Sequence, residues 1–125
     1  MAKTVRIKAA KIPKSKKKVQ FKVEVKGELN ITSFIACQRV DQRLFLYVGN
    51  LLQSGDPDLL VGERFLLWDV PVFYALPDVG ILGAVGHVLV DAQTGDLKLN
   101  DSTPFEEMKI NAKRLYQQTT SQTAA

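Results

Sequence analysis

Hydrophobic and polar positions alternate twice near the start of the chain. From Lys3 to Ile12, Val5, Ile7 and Ala9 share one phase and Arg6 and Lys8 the other. From Val19 to Val25 the apolar phase is Val19, Phe21, Val23 and Val25, against Gln20, Lys22 and Glu24. Period two with β-branched and aromatic residues marks half-buried strands. Pro13-Lys-Ser-Lys-Lys-Lys18 lies between them and suits an exposed loop, so a basic N-terminal β-hairpin over 1–26 with a lysine-rich tip is expected. The first strand also fits a loosely held arm. Gly27 closes the second strand.

Between Ile31 and Gln53 the period changes. Cys37, Val40, Leu44, Tyr47 and Leu51 are spaced for one helical stripe. Gly55, Asp56 and Pro57 then supply a helix stop. Leu44–Val48 followed by Gly49-Asn50 also fits a buried strand and turn, over residues 39–53, but the stripe persists past Gly49 and favours a helix over Cys37–Gln53. Such a helix is apolar nearly all round, with Phe45, Leu46 and Leu52 outside the stripe. A small domain has little to cover it with, so these three are the candidate self-association residues.

Glu63 to Leu76 reads as one long strand with Trp68, Val70, Val72 and Tyr74 on one face and Leu67, Asp69, Pro71 and Phe73 on the other. Both faces are largely apolar, as in a strand covered on both sides. Pro71 lacks a ladder donor and predicts an edge or a bulge there. Gly80, Gly83 and Gly86 punctuate an expected loop before a strand over Ala84–Val90. Asp91-Ala-Gln-Thr-Gly-Asp96 is a turn, with Asp91 bonding the backbone and Gly95 supplying the positive φ, and Leu97 and Leu99 start a returning strand. Thr103-Pro-Phe-Glu106 is a capping box opening a helix to Gln117, with Phe105, Met108, Ala112, Leu115 and Tyr116 at helical spacing. Residues 119–125 have nothing to bury and are expected to be a disordered tail.

These elements predict one α+β domain over 1–118, an antiparallel sheet covered by two helices with the basic hairpin as an extension. At 125 residues with 46% apolar and 24% charged residues, one core is the natural content. No apolar run reaches the roughly 20 residues of a membrane span. The basic start is not followed by an apolar stretch, and Cys37 is the one cysteine, so a cytoplasmic chain without disulfides is expected.

Charge is distributed unevenly. Residues 1–26 hold ten of the seventeen basic residues and one acid, Glu24, whereas residues 27–125 hold seven bases and twelve acids. Arg6, Lys8, Lys11, Lys14, Lys16, Lys17, Lys18 and Lys22 are therefore the candidate residues for a protein partner of acidic character or for nucleic acid. With Phe21 as the one aromatic there, nucleic-acid binding would go to the phosphate backbone.

Chemistry is sparse. His87 is the single histidine, without cysteines or acids at metal-ligand spacing, and reads as structural or superficial. The glycines at 80, 83 and 86 lack the following helix that a phosphate loop needs. Asp56 and Asp58, and Asp91 and Asp96, read as surface turn acids. No catalytic residue, metal site or cofactor motif is assigned, and the chain is expected not to be an enzyme.

Val88-Leu-Val-Asp-Ala-Gln-Thr-Gly-Asp96 resembles the end of a PepSY-type domain, with Asp96 in place of the usual Glu. Trp68-Asp-Val-Pro-Val72, the glycines and the same turn also resemble a group of small prokaryotic proteins, including cyanobacterial ones, over residues 36–117. The resemblance implies a non-catalytic interaction or regulatory module of α+β fold. The expected function is thus protein interaction, with self-association into a homo-oligomer, or alternatively nucleic-acid binding through the lysine-rich hairpin.

Overall fold

The structure is a computed structural model that describes residues 5–8, 17–20, 26–49 and 51–123 of the 125. Its elements are β1 (Val5–Lys8), β2 (Lys17–Gln20), β3 (Lys26–Leu29), α1 (Ser33–Tyr47), β4 (Leu52–Ser54), β5 (Asp58–Val61), β6 (Leu66–Leu76), β7 (Gly80–Asp91) and α2 (Phe105–Thr123). The fold is α+β, an antiparallel sheet with two helices.

β6 is the axis of the sheet. Its length lets it pair along one side with β7, from Leu67↔Asp91 to Leu76↔Gly80. Its other side is shared by two short strands, β5 against Leu66–Asp69 and β4 against Val72–Tyr74. Pro71 falls in the gap between them, where its carbonyl accepts from Gly55 N at 2.9 Å. Amide and carbonyl of one strand residue point the same way, so the missing N–H costs no ladder bond. The proline is locally at an edge inside a central strand.

Trp68, Val70, Val72 and Tyr74 face the core, joined by Leu59, Val61, Val88 and Val90 from the neighbouring strands. Ala36, Val40 and Leu44 of α1 and Met108 of α2 close this core from the helix side. Every residue of that set is under a tenth exposed, and each large side chain there contributes about 1.5–3 kcal/mol by leaving water. Trp68 does more than fill space. Its indole N–H donates to the Ile31 carbonyl at 2.7 Å, tying the entry of α1 to β6. Thr32 then caps the helix, its hydroxyl accepting from Ile35 N at 3.2 Å.

α1 ends sooner than the stripe predicts. Val48 N and Gly49 N both donate to the Leu44 carbonyl, and Gly49 has φ 135°. The chain beyond it turns back into β4, where Leu52 pairs with Tyr74 and is 8% exposed. The expected Cys37–Gln53 helix is thus a shorter helix and a strand. Tyr47 and Leu51, placed on the inward stripe by spacing, are exposed.

Four further expectations are corrected. The described N-terminal strands do not pair with each other. β1 joins the sheet edge beside β5, from Val5↔Val61 to Lys8↔Asp58, while β2 pairs with β3, from Lys17↔Leu29 to Gln20↔Lys26. A hairpin pairing thus exists in this region but one strand later, because Ile7 finds core contacts beside Leu59. Gly80, Gly83 and Gly86 lie within β7 rather than in a loop. The tight turn is Pro77–Val79, and bulges near Val85 and Leu82 re-aim the strand. Leu97 makes a single bridge to Val90, and Leu99–Asp101 forms a 3-10 turn instead of a returning strand. Finally, α2 continues to Thr123, through most of the segment expected to be disordered. Once the apolar face of a helix is docked, each added residue costs little.

The Asp91 turn forms as expected, with Asp91 Oδ1 accepting from Gln93 N (2.8 Å) and Thr94 N (3.1 Å) and Gly95 at φ 83°. Thr103 behaves differently from a simple cap. Its hydroxyl accepts from His87 N at 3.1 Å and its N–H donates to the His87 carbonyl at 3.0 Å. With Leu89 N to Ser102 Oγ (2.9 Å), Lys98 N to the Leu89 carbonyl (2.7 Å) and Asn111 Nδ2 to the Val85 carbonyl (2.9 Å), the segment before α2 and Asn111 of α2 itself cover the free edge of β7. Gly86 is what lets Thr103 come so near, since a Cβ there would lie 2.7 Å from its side chain.

Candidate functional site

Two surfaces carry features that the core does not explain. The first is the outer face of α1. With Ala36, Val40 and Leu44 turned inward, the 3.6-residue period turns Phe34, Gln38, Gln42, Phe45 and Leu46 outward. Phe34 is 66%, Phe45 67% and Leu46 73% exposed. Phe45 and Leu46 line a hollow of about 530 Å³ with Asp41 and Gln42. A second groove of about 560 Å³ adjoins it, between Gln38, Arg39, Gln42, Arg43 and Leu46 and, from the Asp91 turn side, Leu97.

The flanks of this face are held by the chain itself. Asp41 accepts from Ser54 N at 2.9 Å and Ser54 Oγ at 3.0 Å, which also covers the outer edge of β4. Arg39 donates to the Gly95 carbonyl at 3.2 Å. Arg43 lies over the Tyr47 ring at 5.6 Å, and Tyr47 stacks on Phe105 of α2 with centroids 6.1 Å apart. Charged side chains are thereby drawn to the margins, leaving glutamines between the apolar ones. Of the three residues picked from sequence for self-association, Phe45 and Leu46 are on this face and Leu52 is not. Leu52 belongs to β4 and the core.

The second surface is the sheet face turned away from the helices. In-register pairing sets Asp58 of β5 opposite Asp69 of β6, with Lys8 of β1 opposite Asp58 and His87 of β7 opposite Pro71. Arg6 Nη1 donates to both carboxylates, to Asp58 Oδ2 at 2.8 Å and Asp69 Oδ2 at 2.6 Å. Lys8 Nζ lies 3.0 Å from Asp58 Oδ1, and His87 Nδ1 lies 2.7 Å from Asp69 Oδ1. The carboxylates are about nine-tenths covered, whereas the side chains of Arg6, Lys8 and His87 remain 49%, 73% and 46% exposed. Burial pushes the Asp58 carboxyl up, but hydrogen bonds from Arg6 and Lys8 and their charges outweigh it, and its pKa is lowered. The hydrogen bond to Asp58, then that to Asp69, raises the Arg6 pKa.

Sequence reasoning places Asp58 among surface turn acids, but it is a covered strand residue; His87, read as structural or superficial, is a half-exposed partner of Asp69. A detectable signal was present: an aspartate in each of two apolar strand phases, and two bases in the polar phase of a third. Of the basic candidates, Arg6 and Lys8 are paired as described, and the backbones of Lys17 and Lys18 lie in β2 opposite Leu29 and Glu28. Lys11, Lys14, Lys16 and Lys22 lie outside the described residues.

Cys37 donates to the Gly55 carbonyl at 3.5 Å, and burial, its largest influence, raises the thiol pKa, which disfavours the nucleophilic thiolate. Among the described residues no group of three or more His, Cys, Asp or Glu is placed to hold a metal ion, and no helix is long and apolar enough to cross a membrane. His87 lines neither α1 groove, nor the hollow of about 280 Å³ between Val48, Leu52, Tyr74 and Ala112. Compared with known proteins, the chain matches no family model, no curated protein and no solved structure. The PepSY-type likeness therefore rests on its motif residues alone.

Proposed function

We propose that this chain is a non-catalytic protein-interaction module and that the outer face of α1 is the surface by which it binds a second copy of itself. The observation that carries this reading is the exposure of Phe34, Phe45 and Leu46 on one face of a helix whose opposite face is fixed in the core. Together they expose on the order of 400 Å² of apolar side chain, a patch large enough to be functional in a soluble monomer. Two such apolar patches bury only about 800 Å² in total, below the roughly 1,200 Å² of stable specific interfaces, so the pairing is weak and concentration-dependent.

A helix-to-helix contact is favoured over strand addition at two of the sheet's edges. Strand addition is blocked along β7 from Val85 to Leu89 by Ser102, Thr103 and Asn111, and at β4 by Asp41. The α1 face has uncharged Gln38 and Gln42 between its apolar side chains, so it can meet its own copy without opposing like charges. Light scattering over a dilution series tests this. The wild type is expected to move from monomer to dimer across the micromolar range and Leu46→Asp to stay monomeric. A wild type that stays monomeric at millimolar concentration refutes the reading.

A further inference from the structure

We propose that Asp58 and Asp69 act as an internal counter-anion that holds Arg6 and Lys8 in reserve, and that the external ligand competing for those cations is the phosphodiester backbone of a nucleic acid.

The pairing itself is the first argument. Asp58 and Asp69 stand directly opposite in adjacent strands, and like charges at that position repel. Both are covered by the fold, which raises the cost of their charge. Neither strand supplies a base to relieve it. Relief comes from β1, through one guanidinium nitrogen that reaches both carboxylates and an ammonium on the far side of Asp58, with His87 of β7 beside Asp69 at 2.7 Å.

The second argument is the asymmetry of exposure. The acids face inward, while the cations keep about half and three-quarters of their side chains in solvent. An external anion can therefore reach Arg6 and Lys8 without opening the core. Only the cation side of each pair is solvated; the covered carboxylates hold Arg6 and Lys8 in place until a competing anion arrives.

The chemistry of the segment selects the competitor. Residues 1–26 hold nine lysines and a single arginine, with Glu24 as their one acid. Lysine binds phosphate as a point charge, and arginine's planar fork matches phosphate as well as carboxylate. The one arginine is the residue that the two aspartates share. The lysine excess and the single aromatic, Phe21, fit a ligand recognised by its backbone charge. The carboxylates then weaken binding in two ways, by occupying Arg6 and Lys8 and by repelling the incoming phosphates.

Fluorescence anisotropy of the full chain with a labelled 20-nucleotide single strand, from 50 to 300 mM salt, tests the proposal. Asp58→Asn is expected to bind roughly three- to tenfold more tightly than wild type, with a salt slope steeper by about one phosphate contact. Lys8→Ala in the wild-type background is expected to leave affinity within twofold, which keeps the test open should Asp58→Asn misfold. Unchanged or weaker binding by folded Asp58→Asn overturns the proposal, as does absence of binding by both proteins. Loss of a full contact from the slope of Lys8→Ala also overturns it. Tighter binding of Asp58→Asn to polyglutamate than to the oligonucleotide overturns the choice of ligand.

Discussion

The indole N–H of Trp68 and the carbonyl of Ile31 meet at 2.7 Å, across 37 positions of sequence. This bond joins the middle of the sheet to the residue just before the N-cap of α1, and the ring beneath it is fully buried. Trp68→Phe removes the donor, leaves the carbonyl unpaired and opens space beside Leu59 and Val90. Such a change costs about 2–4 kcal/mol, from the unsatisfied acceptor and the lost packing. A fall in melting temperature of roughly 10 °C is the expected calorimetric result; a shift within 2 °C or so would show that the bond does not anchor α1.

Gly86 makes a more local prediction. A methyl group there meets Thr103 at 2.7 Å, so Gly86→Ala must push the segment before α2 off the edge of β7. Overpacking of this sort costs about 1–3 kcal/mol. Hydrogen exchange gives the specific readout, because the amide of His87 donates to Thr103 Oγ1. Its protection should drop in the variant more than that of Val70, and equal loss at both would mean global destabilisation instead.

The charged cluster sets a pH dependence. The Asp58 pKa is lowered in the folded state, so its contribution to stability is complete above the ordinary carboxylate range. That contribution is lost as pH falls through the folded value. In urea titrations the midpoints of wild type and Asp58→Asn should differ at pH 7 and converge as pH falls below the ordinary aspartate range. A constant difference across that range would remove Asp58 from the account.

Cys37 predicts slow thiol chemistry. Partial burial raises its pKa, and its Sγ points at the Gly55 carbonyl. Alkylation by iodoacetamide at pH 8 should run at least tenfold slower in the native chain than in urea. Equal rates would place the thiol in solvent.

The parts of this fold that were legible in the sequence are those whose signal is local. Leu66 to Leu76 is a long run of β-branched and aromatic residues, apolar on both faces, and Asp91 and Gly95 specify their turn by side-chain and φ requirements alone. What misled was local signal overridden by distant partners. Tyr47 and Leu51 continue the helical spacing of Val40 and Leu44, but Gly49 releases the chain and Tyr74 recruits Leu52 as a strand. The glycines at 83 and 86 look like loop residues until Leu115 and Thr103 are seen packed on them. Nothing within Val5–Lys8 names β5 as its neighbour. The cluster of Arg6, Asp58, Asp69 and His87 was therefore hidden, although the phases of Arg6, Asp69 and His87 could be read.

The α1 face carries the central claim, and a cysteine placed in its middle tests it most directly. Gln42→Cys in a Cys37→Ser background puts a thiol between Phe45, Leu46 and Gln38, and Glu63→Cys in the same background puts one in the exposed turn between β5 and β6. Under mild oxidation at about 50 µM, a concentration within the expected range for so small an interface, Gln42→Cys should convert mostly to a covalent dimer and Glu63→Cys should remain mostly monomer. Monomer for both, or equal dimer for both, would contradict pairing through α1.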